Sequence, residues 1–73
     1  MKNQTQEERE KEGLFRLNII KLIRENPEGL TISKIAEALK ESRYKTNQEV
    51  YNLIGLGKLE IARIGNYKVV RIK

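Results

Sequence analysis

The sequence predicts an α+β domain in which three helices are followed by a two-stranded antiparallel hairpin. Residues 14–25 and 34–40 carry apolar side chains at helical spacing, and capping signals indicate a third helix at about 43–55. A hairpin is indicated by two β-rich segments that flank the turn-forming pair Gly65-Asn66. A chain of 73 residues has room for one small domain of this kind.

The first helix carries more apolar residues than a single buried stripe requires. Seven of the ten residues 14–23 are apolar. Residues 1–12 hold no apolar residue after Met1, so we expect them to form a polar tail or a helix extension, with 13–73 as the domain. The surplus apolar surface either lies under the hairpin or meets a second chain, in a homodimer through helix one and the N-terminal segment.

The link between the first two helices contains clear termination signals. Asn26-Pro27-Glu28-Gly29 ends helix one, because proline lacks an amide hydrogen and glycine admits positive φ. Leu30-Thr31-Ile32 is interpreted as a short extended strand. Ser33 is then the expected N-cap of helix two, which we place at 34–40.

The third helix has two competing start signals, Ser42 and Thr46, and both are good N-cap residues. We prefer Ser42, because a start there gives the tight helix–turn–helix connection. It also places one set of residues on the inward face. This set is Thr46, Val50, Leu53 and Gly57.

The hairpin register follows from a two-residue turn at Gly65-Asn66, which pairs Ile64 with Tyr67 and Arg63 with Lys68. Continued to the open end, this register assigns a set of apolar residues to the side facing the domain. They are Leu59, Ile61, Val70 and Ile72. Arg63 and Lys68 share that face near the tip, where two like charges are unfavourable unless a polyanion binds.

Composition argues against an enzyme and against a metal or cofactor site. The chain contains no Cys and no His, which removes thiolate ligands, the commonest metal ligand and the commonest general base. It also contains no Asp and no glycine-rich phosphate loop. We therefore expect no catalysis, no cofactor and no small-molecule ligand.

The charge distribution favours a polyanionic partner. The net charge is +5, residues 1–12 are slightly acidic, and the last sixteen residues hold five cations against one glutamate. No apolar run is long enough to span a membrane, and the polar N-terminus lacks an export signal. We expect a cytoplasmic protein, either nucleoid-associated or elsewhere inside the cell, with no membrane partner.

The order of these elements resembles the winged helix-turn-helix family over roughly residues 14–72. The segment LTISKIAEALK is similar to the second helix of the family. Val50-Tyr51-Asn52-Leu53, followed by Leu56-Gly57-Lys58-Leu59, is similar to the end of its recognition helix and the start of its wing. Lys40 departs from the family, where Gly or Asn is common at the turn. The resemblance implies a double-stranded DNA-binding transcriptional regulator that acts as a dimer.

The residues themselves also indicate a DNA-binding surface. On helix three, Tyr44, Gln48, Tyr51 and Gly55 form an outer stripe opposite the core, since a helix turns about 100° per residue. Amides can pair with adenine in the major groove, whereas cations and hydroxyls suit phosphates. The further candidates are Arg43, Lys45, Asn47 and Asn52 on helix three, Ser33 and Lys34 at the start of helix two, and Arg63, Asn66, Tyr67 and Lys68 on the wing.

Two other functions stay open at this point. Asn47, Tyr51 and Gly57-Lys58-Leu59, with Arg43 nearby, resemble the Z-form DNA-binding domains of the Zα type. Those domains build their wing on prolines and a tryptophan, which Ile64-Gly65-Asn66-Tyr67 lacks. The other alternative is a protein–protein adaptor that has lost DNA binding, for which an acidic or apolar third helix and a neutral wing would be typical.

Overall fold

The chain folds as a winged helix-turn-helix, in agreement with the predicted α+β class. The computed structural model describes the backbone of residues 6–73 and the side chains of residues 13–73. Its elements are α1 (Gln6–Arg24), α2 (Ile32–Leu39), α3 (Arg43–Gly55), β1 (Leu59–Ile64) and β2 (Tyr67–Ile72). Residues 1–5 of the expected tail lie outside the described residues, and 6–12 continue α1. None of the described helices combines the length and the apolar character needed to cross a membrane.

The core lies where α1 crosses the other helices and the base of the hairpin. Phe15, Ile19 and Ile23 recur every four residues and form the buried side of α1. They pack with one residue of α2, two of α3 and one of each strand. These partners are Ile35, Val50, Leu53, Leu59 and Val70. Burial of this one face fixes α1 against the helix-turn-helix.

The expected first strand is reduced to one residue, Leu30. Its N–H donates to Val70 O at 3.0 Å, and its carbonyl accepts from Val70 N–H at 2.7 Å, so β2 lies between Leu30 and β1. Gly29, at φ +101°, brings the chain so close to β2 that an added Cβ would lie 2.7 Å from Val69 Cγ2. Only glycine fits this approach.

The N-cap of α2 is Thr31, and the prediction of Ser33 was wrong. Thr31 Oγ1 accepts from Lys34 N–H at 3.2 Å, so α2 begins at Ile32, two residues earlier than expected. The reason is that Leu30 and Ile35 then flank the cap as an apolar pair at the positions of a hydrophobic staple, and both belong to the core. Ser33 lies in the first turn of the helix.

The turn between α2 and α3 is formed by Lys40 in the left-handed region, at φ 56° and ψ 43°. Its N–H caps α2 by donating to Glu37 O at 3.2 Å. The predicted N-cap Ser42 is confirmed, since its Oγ accepts from Lys45 N–H at 3.1 Å. α2 therefore ends one residue before the predicted end at Lys40, and this lysine takes the left-handed conformation that glycine and asparagine adopt most readily at a helix end.

The inward face of α3 is confirmed at Thr46, Val50 and Leu53, which are fully buried. Gly57 is an exception. It is exposed at φ 77°, beyond the end of the helix, where the chain turns away from the core before β1. The prediction extrapolated helical spacing past Gly55, the last residue of α3.

The hairpin has the predicted register, from Ile64 opposite Tyr67 to Leu59 opposite Ile72. Gly65 has φ 59° and Asn66 has a negative φ, which is typical of a turn with glycine in the first position. The predicted inward face is buried at Leu59 and Val70, but Ile72 at the open end is 39% exposed. Val69, on the opposite face, is buried because Gly29 packs against it.

Candidate nucleic-acid interface

The outer face of α3, defined by Tyr44, Gln48 and Tyr51, points to solvent. Tyr44 is 74% exposed and Tyr51 is 48% exposed. These are large side chains to leave in water, and they lie opposite Thr46, Val50 and Leu53, which the core buries completely. Gly55, the fourth residue of the predicted stripe, is also exposed. α3 thus has one face for packing and one available for a partner.

Gln48 is oriented on this face by its neighbour. Its Nε2 donates to Tyr44 Oη at 3.0 Å, one helical turn away. A glutamine amide has two N–H donors and one carbonyl acceptor, so this bond leaves one donor and the acceptor free. One donor and one acceptor are the pair that a bidentate contact with adenine N7 and N6 requires.

A groove separates α3 from the wing, and we call it the α3–wing groove. It has a volume of about 240 Å³ and is lined by residues from the start of α2, from α3 and from the hairpin. Its lining residues are Thr31, Ile32, Ser33, Arg43, Tyr51, Ile61, Tyr67, Lys68 and Val70. Five predicted site residues (Ser33, Arg43, Tyr51, Tyr67 and Lys68) are thus brought together from three separate elements.

A second cavity adjoins this groove along α3. Ile32 and Arg43 line both, and Tyr44 and Asn47 complete the second one, which has a volume of about 360 Å³. Arg43 therefore lies between the wing side and the outer face of α3. The two cavities thus share two lining residues between the wing and the amide-bearing helix, and we call them together the recessed surface.

The start of α2 contributes backbone donors to the groove. Thr31 Oγ1 satisfies Lys34 N–H, whereas the N–H groups of Ile32 and Ser33 have no acceptor within the described part of the chain. Both residues line the groove. Free N–H groups at a helix N-terminus, together with the positive end of the helix dipole, form a site that favours anions.

Carboxylates are kept away from this surface. Glu49 accepts from Arg16 Nε at 2.7 Å and is thereby drawn toward α1. Glu60 pairs with Arg71 across the strands at 3.0 Å. Among residues 13–73, no carboxylate lines the groove or the adjoining cavity, so within this part of the chain Arg43 and Lys68 face it without a neutralising acid.

Lys45 is directed toward α1, away from the outer face. Its Nζ lies 3.4 Å from Glu41 Oε1 and 5.1 Å from the centroid of the Phe15 ring. A lysine above an aromatic face gains a cation–π attraction. These contacts give Lys45 a role in joining α3 to α1.

The remaining candidates lie at the margins of the recessed surface. Arg63 and Lys68 are directly opposed near the wing tip, as predicted, and both are exposed. Lys34 lines a separate cavity that it shares with Tyr67, on the side of the hairpin where Gly29 packs. Asn52 and Asn66 are exposed and line neither the α3–wing groove nor its neighbour.

Sequence reasoning missed Thr31 and Ile32, which line the groove. Ile32 was placed in a strand and Thr31 was given no capping role. The available signal was the apolar pair Leu30 and Ile35, which brackets Thr31 at the spacing of a hydrophobic staple. Reading that pair would have moved the start of α2 to Ile32.

Comparison with known proteins does not assign a function to these residues. No protein-family model matches the sequence, and no curated protein sequence is similar to it.

Proposed function

We propose that this protein binds double-stranded DNA and regulates transcription, with α3 in the major groove and the wing against the backbone. The observation that carries the proposal is the α3–wing groove. It gathers Arg43, Lys68, Tyr51, Tyr67 and the free N–H groups at the start of α2, and none of the carboxylates that the structure describes lines it. Such a combination of cations, hydroxyls and backbone donors matches the chemistry of phosphate binding.

The base-reading part of the proposal concerns Asn47 and Gln48. Asn47 lines the cavity next to the groove, and Gln48 keeps one donor and one acceptor free after its bond to Tyr44. A major groove admits one α-helix, and amide side chains on that helix can pair with adenine. Tyr44 and Tyr51, on the same outer face of α3, would flank the amides and contact the sugar–phosphate backbone.

The phosphate-binding part concerns the two ends of the recessed surface. Arg43 stands at the start of α3, between the two cavities, and Lys68 stands on the wing. A DNA backbone that runs along the groove would contact both cations and the N–H groups of Ile32 and Ser33. Arg63, opposite Lys68, would extend this contact at the wing tip.

The resemblance to winged helix-turn-helix regulators agrees with this arrangement, and we infer that the chain belongs among them. An adaptor that binds only proteins would need neither the unpaired cations nor the free backbone donors in the groove. The interface is thus better matched to a polyanion than to a protein surface.

The test is the salt dependence of binding to a duplex of mixed sequence, measured by fluorescence anisotropy. We expect Arg43→Ala combined with Lys68→Ala to lower affinity about tenfold to a hundredfold. We also expect it to reduce the slope of log affinity against log salt by about two, since each lost phosphate contact removes about one. Thermal unfolding should be unchanged, because both side chains are solvent-exposed.

The matched control removes the same two positive charges elsewhere. Lys58 and Lys73 are exposed at the open end of the hairpin, away from the groove. Lys58→Ala with Lys73→Ala should lower affinity only slightly. Equal losses in the two double variants would show a diffuse charge effect and contradict a defined interface. Absence of duplex binding by the parent chain at low salt would overturn the proposal.

A further inference from the structure

The hydrogen bond between Gln48 and Tyr44 joins two exposed side chains on the outer face of α3. Gln48 Nε2 donates to Tyr44 Oη at 3.0 Å, since residues four apart are neighbours on a helix. Tyr44 is 74% exposed, and within residues 13–73 this is the one hydrogen bond that its hydroxyl forms. The Tyr44 hydroxyl accepts from Gln48 and therefore keeps its own hydrogen free to donate outward.

The Tyr44 side chain lies beside the cation that the proposed function assigns to phosphate binding. Tyr44 and Arg43 line the same cavity, which has a volume of about 360 Å³. A guanidinium and a phenol hydroxyl both donate to phosphate oxygens. A phosphate bound by Arg43 would thus be a suitable acceptor for the free hydrogen of Tyr44.

The direction of the bond between Gln48 and Tyr44 decides which purine Gln48 can bind. While Nε2 donates to Tyr44, Gln48 presents one N–H donor and its carbonyl acceptor to a partner. In the major groove adenine offers an acceptor at N7 and a donor at N6, whereas guanine offers two acceptors, N7 and O6. An amide flipped by 180°, with its carbonyl toward Tyr44, would present two N–H donors and would suit guanine.

We propose that Tyr44 is a specificity-determining residue: its hydroxyl donates to a DNA phosphate, and this contact selects adenine over guanine at the base that Gln48 reads. A hydroxyl has one hydrogen, so a Tyr44 that donates to phosphate can only accept from Gln48. The amide is then held in the orientation that the structure shows. The inference rests on the proposed DNA binding, and it adds that one side chain couples the backbone contact to the base preference.

The experiment measures purine preference by fluorescence anisotropy on two duplexes that differ in one base pair. Selection from a random pool with the parent chain supplies the duplex, and the purine at which Gln48→Ala loses discrimination marks the position. We expect the parent to bind the adenine duplex about tenfold more tightly than the guanine duplex. Tyr44→Phe keeps the ring and removes the hydroxyl, so its two affinities should agree within about twofold, because the freed amide can flip to suit either purine.

Tyr51→Phe provides the matched control. Tyr51 lies on the same face and is 48% exposed, but within the described part of the chain its hydroxyl forms no hydrogen bond with Gln48. This variant should lower affinity for both duplexes alike and keep the adenine preference. Thermal melting of both variants should match that of the parent, because neither hydroxyl is buried.

The inference can fail while DNA binding persists. A parent that prefers guanine, or a selected site with no base at which Gln48→Ala changes discrimination, would overturn it. So would a Tyr44→Phe variant that keeps the adenine preference, or a Tyr51→Phe variant that loses it equally. The proposed function fails on a different result, a parent chain that binds no duplex at low salt, and that result would end the inference as well.

Discussion

Helices α1 and α3 both pack one face on the same core, but their solvent faces differ in chemistry. α1 exposes Leu14 and Leu17, between acids at one end of the helix and bases at the other. α3 exposes Tyr44, Gln48 and Tyr51, with Arg43 at its start. The solvent face of α1 is therefore apolar at its centre, whereas the solvent face of α3 presents polar groups of the kind that contact bases and phosphates.

The ion pair between Arg16 and Glu49 keeps these two surfaces distinct. It joins α1 to α3 at 2.7 Å and neutralises the acid nearest the outer face of α3. Lys45 makes a second link, because it lies over Phe15 of α1. Glu49 and Lys45 are therefore engaged between the two helices, whereas Tyr44, Gln48 and Tyr51 on the outer side of α3 stay exposed. Substitutions at Gly29, at Asn47 and Gln48, and at Thr46 test this difference between packed and outer residues.

The largest expected effect is at Gly29, which holds the link after α1 against the sheet. Gly29→Ala should lower the free energy of unfolding by about 3 kcal/mol, because it adds a clash with Val69 to the strain of a positive φ. Chemical denaturation measures the change.

The control for this substitution is Gly55→Ala, since an added Cβ at Gly55 meets nothing within 4 Å. We expect Gly55→Ala to keep or raise stability, because alanine favours the helical conformation by about 1 kcal/mol. Comparable destabilisation by both substitutions would show that the close approach at Gly29 is unimportant.

A smaller effect is expected on the outer face of α3. Asn47→Ala and Gln48→Ala should each lower discrimination between a selected duplex and its mutated form by about 1–3 kcal/mol per lost bidentate contact. Stability should change by less than about 0.5 kcal/mol, because both residues are exposed. Competition binding against single-base variants of the duplex provides the measurement. Full discrimination in both variants would remove α3 as the base-reading element.

The smallest effect is expected on the inner face of the same helix. Thr46 is fully buried, and its Oγ1 has no hydrogen-bond partner among the described residues. Thr46→Val replaces that hydroxyl by a methyl group of similar size. We expect the free energy of unfolding to rise by about 1 kcal/mol and the melting temperature by about 4–8 °C. DNA affinity should stay unchanged. A lower melting temperature would show that the Thr46 hydroxyl forms a hydrogen bond in solution.

Local signals predicted much of the fold. The Gly65-Asn66 turn fixed the register of the whole hairpin, since side chains alternate with a period of two and one slip would reverse them all. Ser42 was correctly identified as the N-cap of α3. Thr31 was missed because two hydroxyl residues stand near the start of α2, and the choice depends on which neighbours the core can bury.

The candidate site was predictable residue by residue but not as a surface. Helical spacing alone placed Tyr44, Gln48 and Tyr51 on one exposed side. That Arg43 lines the same groove as Lys68, or that Lys45 turns to Phe15, depends on the angle at which α3 and the wing meet. No local pattern encodes that angle, because it results from packing between residues distant in the chain.

The sequence by itself determined the three helices and the hairpin, their order, the hairpin register and the outer face of α3, because turn chemistry and periodicity act between near neighbours. Tertiary structure decided which candidates share a groove, which glutamates are neutralised and why Gly29 must be glycine. The physical reason is range: a helix or a turn is stabilised within a few residues, whereas a groove exists only after distant segments have packed on a common core.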